Sequence, residues 1–386
     1  MKLNREKTLM PPGVRVHLSP ESRLKRRYLT RMFEEAEDWN YEELDLPTLD
    51  YFDSIDEGLS AELSSRTYWF TDDQGSTLAL RPDATAQVAK ILSGRFNQEE
   101  LAGRYCYSCR NFRKFELRRG ELREFHQFGA EILQENREHA DLELLLFMFE
   151  LLDMLDLDEI VLELGHVQIY KGLMRDVELS PREHRLLRQQ IHRKNVSDLQ
   201  ELLEEVELDD HRKELLLQLP TLYGGDEIFD ELSRLSGVPD RTKQGVDYLK
   251  NVYDKLDVAG YSDLINLDFG VVREIDYYTG IVFDALIPGI GKPVVGGGRY
   301  DDLYANYGDS VPATGFALEL DRLLPRLNGK QEPKETRRVW CPEPTPDARE
   351  TLKQLRDQYS VSVIFDEPDA QDDGQIVDEN GELNEL

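Results

Sequence analysis

Residues 268–303 read DFGVVREIDYYTGIVFDALIPGIGKPVVGGGRYDDL, and the alternation within this stretch decides the fold. It predicts a β-strand entering an irregular turn (Arg273 to Gly280), then a second apolar strand from Ile281 to Ile287. A Gly/Pro hairpin over Pro288 to Lys292 follows, and a short strand runs into Gly296-Gly297-Gly298. Three consecutive glycines suit a place where backbone comes close to a ligand or to another strand. Arg273 and the pair Tyr277-Tyr278 flank the turn, so a guanidinium and two phenols can converge on one pocket. Each has an ordinary explanation when taken singly: paired tyrosines in sheets pack, and lone arginines face solvent.

Outward from this stretch the pattern continues. Upstream, Ser19-Pro20 reads as an N-cap with a first-turn proline, and Leu24, Tyr28, Leu29, Met32, Phe33 and Ala36 sit at helical spacing to about Asp38. Leu44 to Tyr51 is an extended segment holding Pro47, which suits an edge. Thr67 to Phe70 and Ser76 to Arg81 alternate around the turn Asp72-Asp73-Gln74-Gly75, and a helix follows Asp83. Tyr105 to Phe112 and Leu122 to Leu133 read as strands joined by a polar loop, and His139 to Leu155 as a buried helix. Ile160 to Leu164 is a strand, residues 173–256 read as a helical insertion, and Ala313 to Leu327 as a strand entering a helix. The expected domains are a core over 1–327, a short β-α-β remnant over 328–365, and a disordered tail over 366–386. That tail carries nine acidic residues and no Lys or Arg.

Composition limits the function classes. The 386 residues are 40% hydrophobic, without the long apolar run of a membrane span or the apolar core of a secretory signal. Three cysteines argue for a reduced cytoplasm and against a disulfide framework. The net charge of −30 repels phosphate backbones and makes tRNA an awkward partner. Such a surface fits a halophilic setting, where salt screens dense carboxylates; a soluble acidic protein is the plainer alternative.

The chain has no H-E-x-x-H, Walker or G-x-S-x-G motif. Cys106 and Cys109 would point to opposite strand faces, so no metal is expected. Instead the prominent polar residues sit on strands. Gln127 and Glu131 share a face by period two, Arg113 ends one strand and Asp83 closes another. With Arg273, Tyr277 and Tyr278 they supply a carboxylate for an ammonium, a guanidinium for a carboxylate, and a phenol or amide for a polar ring. That inventory could hold a zwitterionic amino acid, and a solvated cross-strand ion pair between Glu131 and Arg113 is equally open.

These segments resemble the core of histidyl-tRNA synthetases from about residue 11 to 327. WNYEELDLP (39–47) is similar to the first class II motif, FRKFELRRGELREFHQFGAE (112–131) to the second, and GFALELDRL (315–323) to the third. VREIDYYTG and GGRYDDL are similar to the family's histidine-specific stretches. The resemblance implies an α+β fold, a class II aminoacyl-tRNA synthetase-like antiparallel sheet flanked by helices, and a dimer formed through the first motif. It also implies a histidine pocket of Asp83, Thr85, Arg113, Gln127, Glu131, Arg273, Tyr277 and Tyr278, with Asp83 shorter than the usual glutamate.

Departures from the synthetase pattern concentrate around ATP. Lys114 and Phe115 stand where the family carries His and Glu, Glu121 where it carries an arginine, and Glu319 where it carries a glycine. A carboxylate facing a triphosphate costs about 1 kcal/mol or more even partly screened. Arg322 is retained, and the anticodon-binding domain is expected to be absent. Together these features resemble the regulatory subunits of ATP phosphoribosyltransferase, a synthetase-derived family of histidine biosynthesis. ELGHVQIYKGLM (163–174) fits it too. The resemblance implies a non-catalytic cytoplasmic subunit without cofactor, assembled with a short catalytic phosphoribosyltransferase subunit in a hetero-oligomer and carrying feedback inhibition by histidine. The alternative is a divergent histidyl-tRNA synthetase or another histidine-adenylating enzyme, kept open by Arg113, Arg273 and Arg322.

Overall fold

In the computed structural model of the chain, the amphipathic run near the start folds as α1 (Glu21–Asp38), burying Tyr28, Met32 and Ala36. The structure describes residues 9–96, 102–115, 121–133, 137–157, 159–271, 277–327, 336–364, 375–378 and 380–385. Helix α1 begins after Pro20 without the side-chain cap expected of Ser19. The segment expected from Leu44 to Tyr51 is two strands, β1 (Glu42–Leu44) and β2 (Leu49–Tyr51). Pro47 between them has no N–H for a continuous ladder, and the two strands join different sheets.

After the short helices α2 (Phe52–Asp56) and α3 (Ala61–Ser65), β3 (Trp69–Thr71) and β4 (Thr77–Leu80) form a hairpin. Its turn closes on Asp72, whose Oδ1 accepts the Gln74 and Ser76 N–H groups. Strands β2, β4 and β3 make a small antiparallel sheet, and α4 (Ala84–Arg95) follows with Asp83 as its N-cap.

The large sheet is built from β5 (Gly103–Phe112), β6 (Glu124–Leu133), β7 (Val161–His166), the two-residue β8 (Tyr223–Gly224), β9 (Ile265–Asp268), β10 (Ile281–Leu286), β11 (Val295–Arg299) and β12 (Ala313–Glu319), with β1 at one edge. Its order is β1-β5-β6-β12-β11-β10-β7-β9-β8. The central run from β5 to β7 is antiparallel, as expected. The sheet as a whole is mixed, because β1 joins β5 and β9 joins β7 in parallel. Asp268, expected to open a strand, ends β9 instead; its side chain accepts the Gly270 N–H and turns the chain.

Helix α5 (Arg137–Met154) has no polar side in its middle because three neighbours cover it. Phe147 packs on Phe316 of β12 and stacks on Tyr41, and Phe149 stacks on Tyr261. Full burial of each such side chain contributes about 1.5–3 kcal/mol. Helix α6 (Val167–Leu173) follows β7, and α7 (Pro181–His192), α8 (Val196–Glu205), α9 (Asp210–Gln218), α10 (Glu227–Ser233) and α11 (Asp240–Val258) occupy the stretch read as a helical insertion over 173–256. It is stitched to the sheet edge by β8, so it is not wholly helical. The first compact unit, residues 1–327, closes with α12 (Leu320–Leu323).

The second unit, residues 328–386, has its own core of Val339, Cys341, Ala348, Leu352 and Val377. Strand β13 (Thr336–Trp340), α13 (Pro346–Gln358) and β14 (Ser360–Ile364) make the expected β-α-β piece. The tail, expected to be disordered, supplies β15 (Gln375–Val377) and β16 (Leu383–Glu385). Its few apolar residues suffice: Val377 is fully buried, and β15 pairs with β13. Asp378 Oδ1 accepts the N–H groups of Asn380 and Glu382, and Gly381 takes a left-handed φ of +79° to close the hairpin. The expected linker lies largely outside the described residues.

Candidate functional site

On the face of the large sheet where Glu131 sits, β6 and β12 pair so that Glu131 lies opposite Gly315. A Cβ on Gly315 would overlap Glu131 Oε2 and stand 2.6 Å from the Tyr300 hydroxyl, so only glycine fits here. The carboxylate is fully buried. Its Oε1 accepts from Thr85 Oγ1 at 2.9 Å and from the Tyr107 hydroxyl at 3.1 Å, while Oε2 accepts from the Tyr300 hydroxyl. Burial pushes the Glu131 carboxyl up to about 8, against the three hydroxyl donors that pull it down.

Above this floor opens a cavity of about 210 Å³. Its walls include Asp83, Thr85, Arg113, Gln127, Tyr277, Tyr278, Asp284 and Tyr300. Asp83 caps α4, accepting the Ala86 N–H at 3.2 Å, and also accepts from Arg113 at 3.3 Å. Arg113 is fixed further by its Nε donating to the Pro82 carbonyl at 2.7 Å and by the Phe125 ring 5.1 Å below it. Gln127 is oriented by Asn111, which donates to its Oε1. Behind Asn111, the buried Arg81 donates to Asn111 Oδ1 at 3.1 Å and Gln87 Oε1 at 3.0 Å. Tyr277 packs against Tyr278 and edge-on to Tyr300, giving one aromatic wall. The enclosure offers a buried carboxyl, an exposed-side carboxylate–guanidinium pair, an amide and phenols, the groups needed to grip a small zwitterion.

Toward the ends of β12 and β6 the same cleft closes. Arg113, Phe115, Glu121, Phe125, Lys292, Glu319 and Arg322 leave only about 20 Å³ there, room for a single water. Glu319 Oε2 lies 2.7 Å from Arg322 Nε, and Arg322 also donates to the Pro293 carbonyl at 2.6 Å. Lys292 pairs with Glu121 at 2.6 Å, and its ammonium lies 5.7 Å from the Phe115 ring. Burial raises the Glu319 carboxyl above the usual range, while Arg322, Arg113 and Lys292 pull it back.

Of the sequence-expected pocket residues, Asp83, Thr85, Arg113, Gln127, Tyr277 and Tyr278 come together around one cavity with Glu131 beneath them. Arg273 falls outside the described residues. Tyr107, Tyr300, Arg81 and Asn111 are additions. Tyr300 had a readable signal, since Gly296, Gly298 and Tyr300 share a strand face by period two. Nothing local marked Tyr107 or the Arg81–Asn111 support. Cys106 packs in one core and Cys109 in the other, on the opposite faces expected.

A family model described as histidyl-tRNA synthetase matches residues 13–323. The ATP phosphoribosyltransferase regulatory subunit of Moorella thermoacetica is 36% identical over 317 residues, covering 82% of this chain and 81% of its own. That of Geobacter sulfurreducens is 35% identical over 348 residues, covering 89% and 79%. A crystal structure from Bacillus halodurans, described as an ATP phosphoribosyltransferase regulatory subunit/histidyl-tRNA synthetase, superposes with a TM-score of 0.80 at 27% identity over 94% of both chains. These relatives share the class II synthetase-like fold, and the chain belongs to the ATP phosphoribosyltransferase regulatory subunit family.

Proposed function

We propose that this chain is a non-catalytic subunit that activates a short catalytic ATP phosphoribosyltransferase subunit and carries its feedback inhibition by histidine. The observation that carries this reading is the unequal cleft. The amino-acid half is a preformed cavity, whereas Glu319 and Glu121 occupy Arg322 and Lys292 beside it. An adenylating enzyme needs those cations for phosphate; a sensor of the free amino acid does not.

In this reading histidine places its ammonium near Asp83 and its carboxylate near Arg113, with the imidazole between Gln127, Glu131 and the tyrosine wall. The raised Glu131 carboxyl suits a floor that is neutral when empty and ionises against a protonated ring. Histidine regulates by binding the inactive assembly more tightly than the active one. The test is phosphoribosyltransferase activity of the short catalytic subunit with and without this chain, titrating histidine at high and low salt. Activity that needs the chain and falls with histidine supports the reading. No effect, together with histidine-dependent ATP–pyrophosphate exchange by this chain alone, favours the adenylating enzyme instead. Salt-dependent stability would bear on the halophilic reading, and residence in the cytoplasm goes with the pathway.

The partner set includes a second copy of this chain. By register, Leu49, Tyr51 and Phe70 lie on one face of the small sheet with Leu78 and Leu80, and the first three are 47%, 59% and 43% exposed. An exposed apolar face on so acidic a surface fits a buried self-interface formed through the first-motif region. Tyr51→Glu would then halve the solution mass measured by light scattering, and an unchanged mass would count against this interface.

A further inference from the structure

Strand β11 separates two cavities, because Tyr300 faces the first and Arg299, one residue earlier, faces a second. The second holds about 600 Å³, within the range of small-molecule sites. Arg137, Arg175, Arg241 and Arg299 line it against Asp240 and Asp301, a cationic concavity on a chain of net charge −30. Arg299 is spoken for: it is 3% exposed and bonds Asp141, Asp301 and the Arg137 carbonyl. The outer arginines are less committed, Arg175 having its Nε 3.9 Å from Asp176 Oδ2. Arg137 and Arg241 each donate only through Nε, at 2.7 Å to Asp301 and at 2.7 Å to Gln168 Oε1, with no other side-chain partner among the described residues. Their terminal nitrogens remain for a ligand.

A second observation points the same way. His166 is 7% exposed and lines this cavity. Its Nδ1 accepts the Gln168 N–H at 3.1 Å, which puts the ring proton on Nε2. That N–H has no partner among the described residues. Burial and the nearby Arg299 charge hold the ring neutral, down to about 3, so it is a donor that brings no charge of its own. Tyr248, edge-on to His166, already gives its hydroxyl proton to Asp141 at 2.6 Å.

We propose that this second cavity binds a small phosphoryl-bearing anion, gripped by Arg137, Arg175 and Arg241 and by the Nε2–H of His166. A lone carboxylate is satisfied by one guanidinium fork; donors converging from α5, from the end of α6, from α11 and from His166 suit the several oxygens of a phosphoryl group. The inference stands apart from the histidine reading, since it concerns a different cavity and a different ligand chemistry.

The test is calorimetric titration of the full chain, in phosphate-free buffer, with inorganic phosphate, pyrophosphate, ribose 5-phosphate and citrate. Saturable binding of at least one phosphoryl probe is expected, weakened about tenfold or more by Arg241→Ala and further by Arg175→Ala added to it. Arg212→Ala, which removes the same charge elsewhere, should leave binding unchanged. The His166 Nε2 proton resonance should move on saturation. No saturable phosphoryl binding, binding of citrate alone, or equal weakening by Arg212→Ala would overturn the proposal. Because the probes contain no histidine and the readout is binding, failure here leaves the regulatory reading untouched.

Discussion

The two halves of the main cleft lie side by side along β6 and β12 and are kept in opposite ways. Around Glu131 the neighbours leave space: Thr85, Tyr107 and Tyr300 donate to the carboxyl, and Gly315 leaves room for it by carrying no side chain. Around Arg322 the neighbours fill the space, with Glu319 and Glu121 each taking a cation. The difference teaches that one end of a cleft can close by pairing its own charges while the other end stays open on the same sheet. At the closed end two carboxylates take the cations that an external anion would otherwise meet, while the adjoining cavity stays open around buried, mutually bonded groups.

The open half should be the more fragile. Gly315→Ala forces a methyl into Glu131 and Tyr300, and the expected cost is about 3 kcal/mol or more, read by denaturant unfolding. A loss under about 0.5 kcal/mol would mean the cavity floor is looser than described. Next, Glu131→Gln should weaken histidine binding by roughly a hundredfold in calorimetry, because a buried group that would ionise against the ligand is gone. The same variant has a pH signature. Folded Glu131 keeps its proton to about 8, whereas an unfolded glutamate loses it near 4.3, so the folded chain binds more protons between these values. Wild-type stability from this group is therefore full at low pH and declines as pH rises through 8. Glu131→Gln should remove that decline, and identical pH–stability curves would contradict the assignment.

The closed half should yield to repair more modestly. Glu319→Gly combined with Glu121→Arg should raise ATP affinity about tenfold while leaving histidine affinity unchanged, since each removes a carboxylate facing phosphate. Failure to gain ATP binding would show that the cleft is closed by more than charge. The smallest effect expected is for Asp83→Ala, which removes the α4 cap and should cost about 1 kcal/mol in thermal or chemical unfolding.

Much of this was readable from local pattern. Alternation located β5, β6, β10 and β12, and period two put Gln127 and Glu131 on one face before any contact was known. Reading failed where the deciding partner is far away in the chain. The tail looked disordered by charge, yet Ile376 and Val377 find a place because β13 offers them an edge. The antiparallel expectation holds for the central run from β5 to β7, while β1 and β9 add parallel edges whose direction is set by long crossovers and not by their own residues.

What the sequence determined by itself is most of the core elements, their inward faces and the kinship, since these rest on periodicity and on short motifs. Only the tertiary structure decided which charges are still available. Lys292 meets Glu121, Tyr300 meets Glu131, and Arg137 is left with its outer nitrogens unused, all across long sequence separations. The reason is physical: a side chain's type follows from the sequence, but its free capacity to bind depends on neighbours that the sheet alone brings within hydrogen-bonding distance.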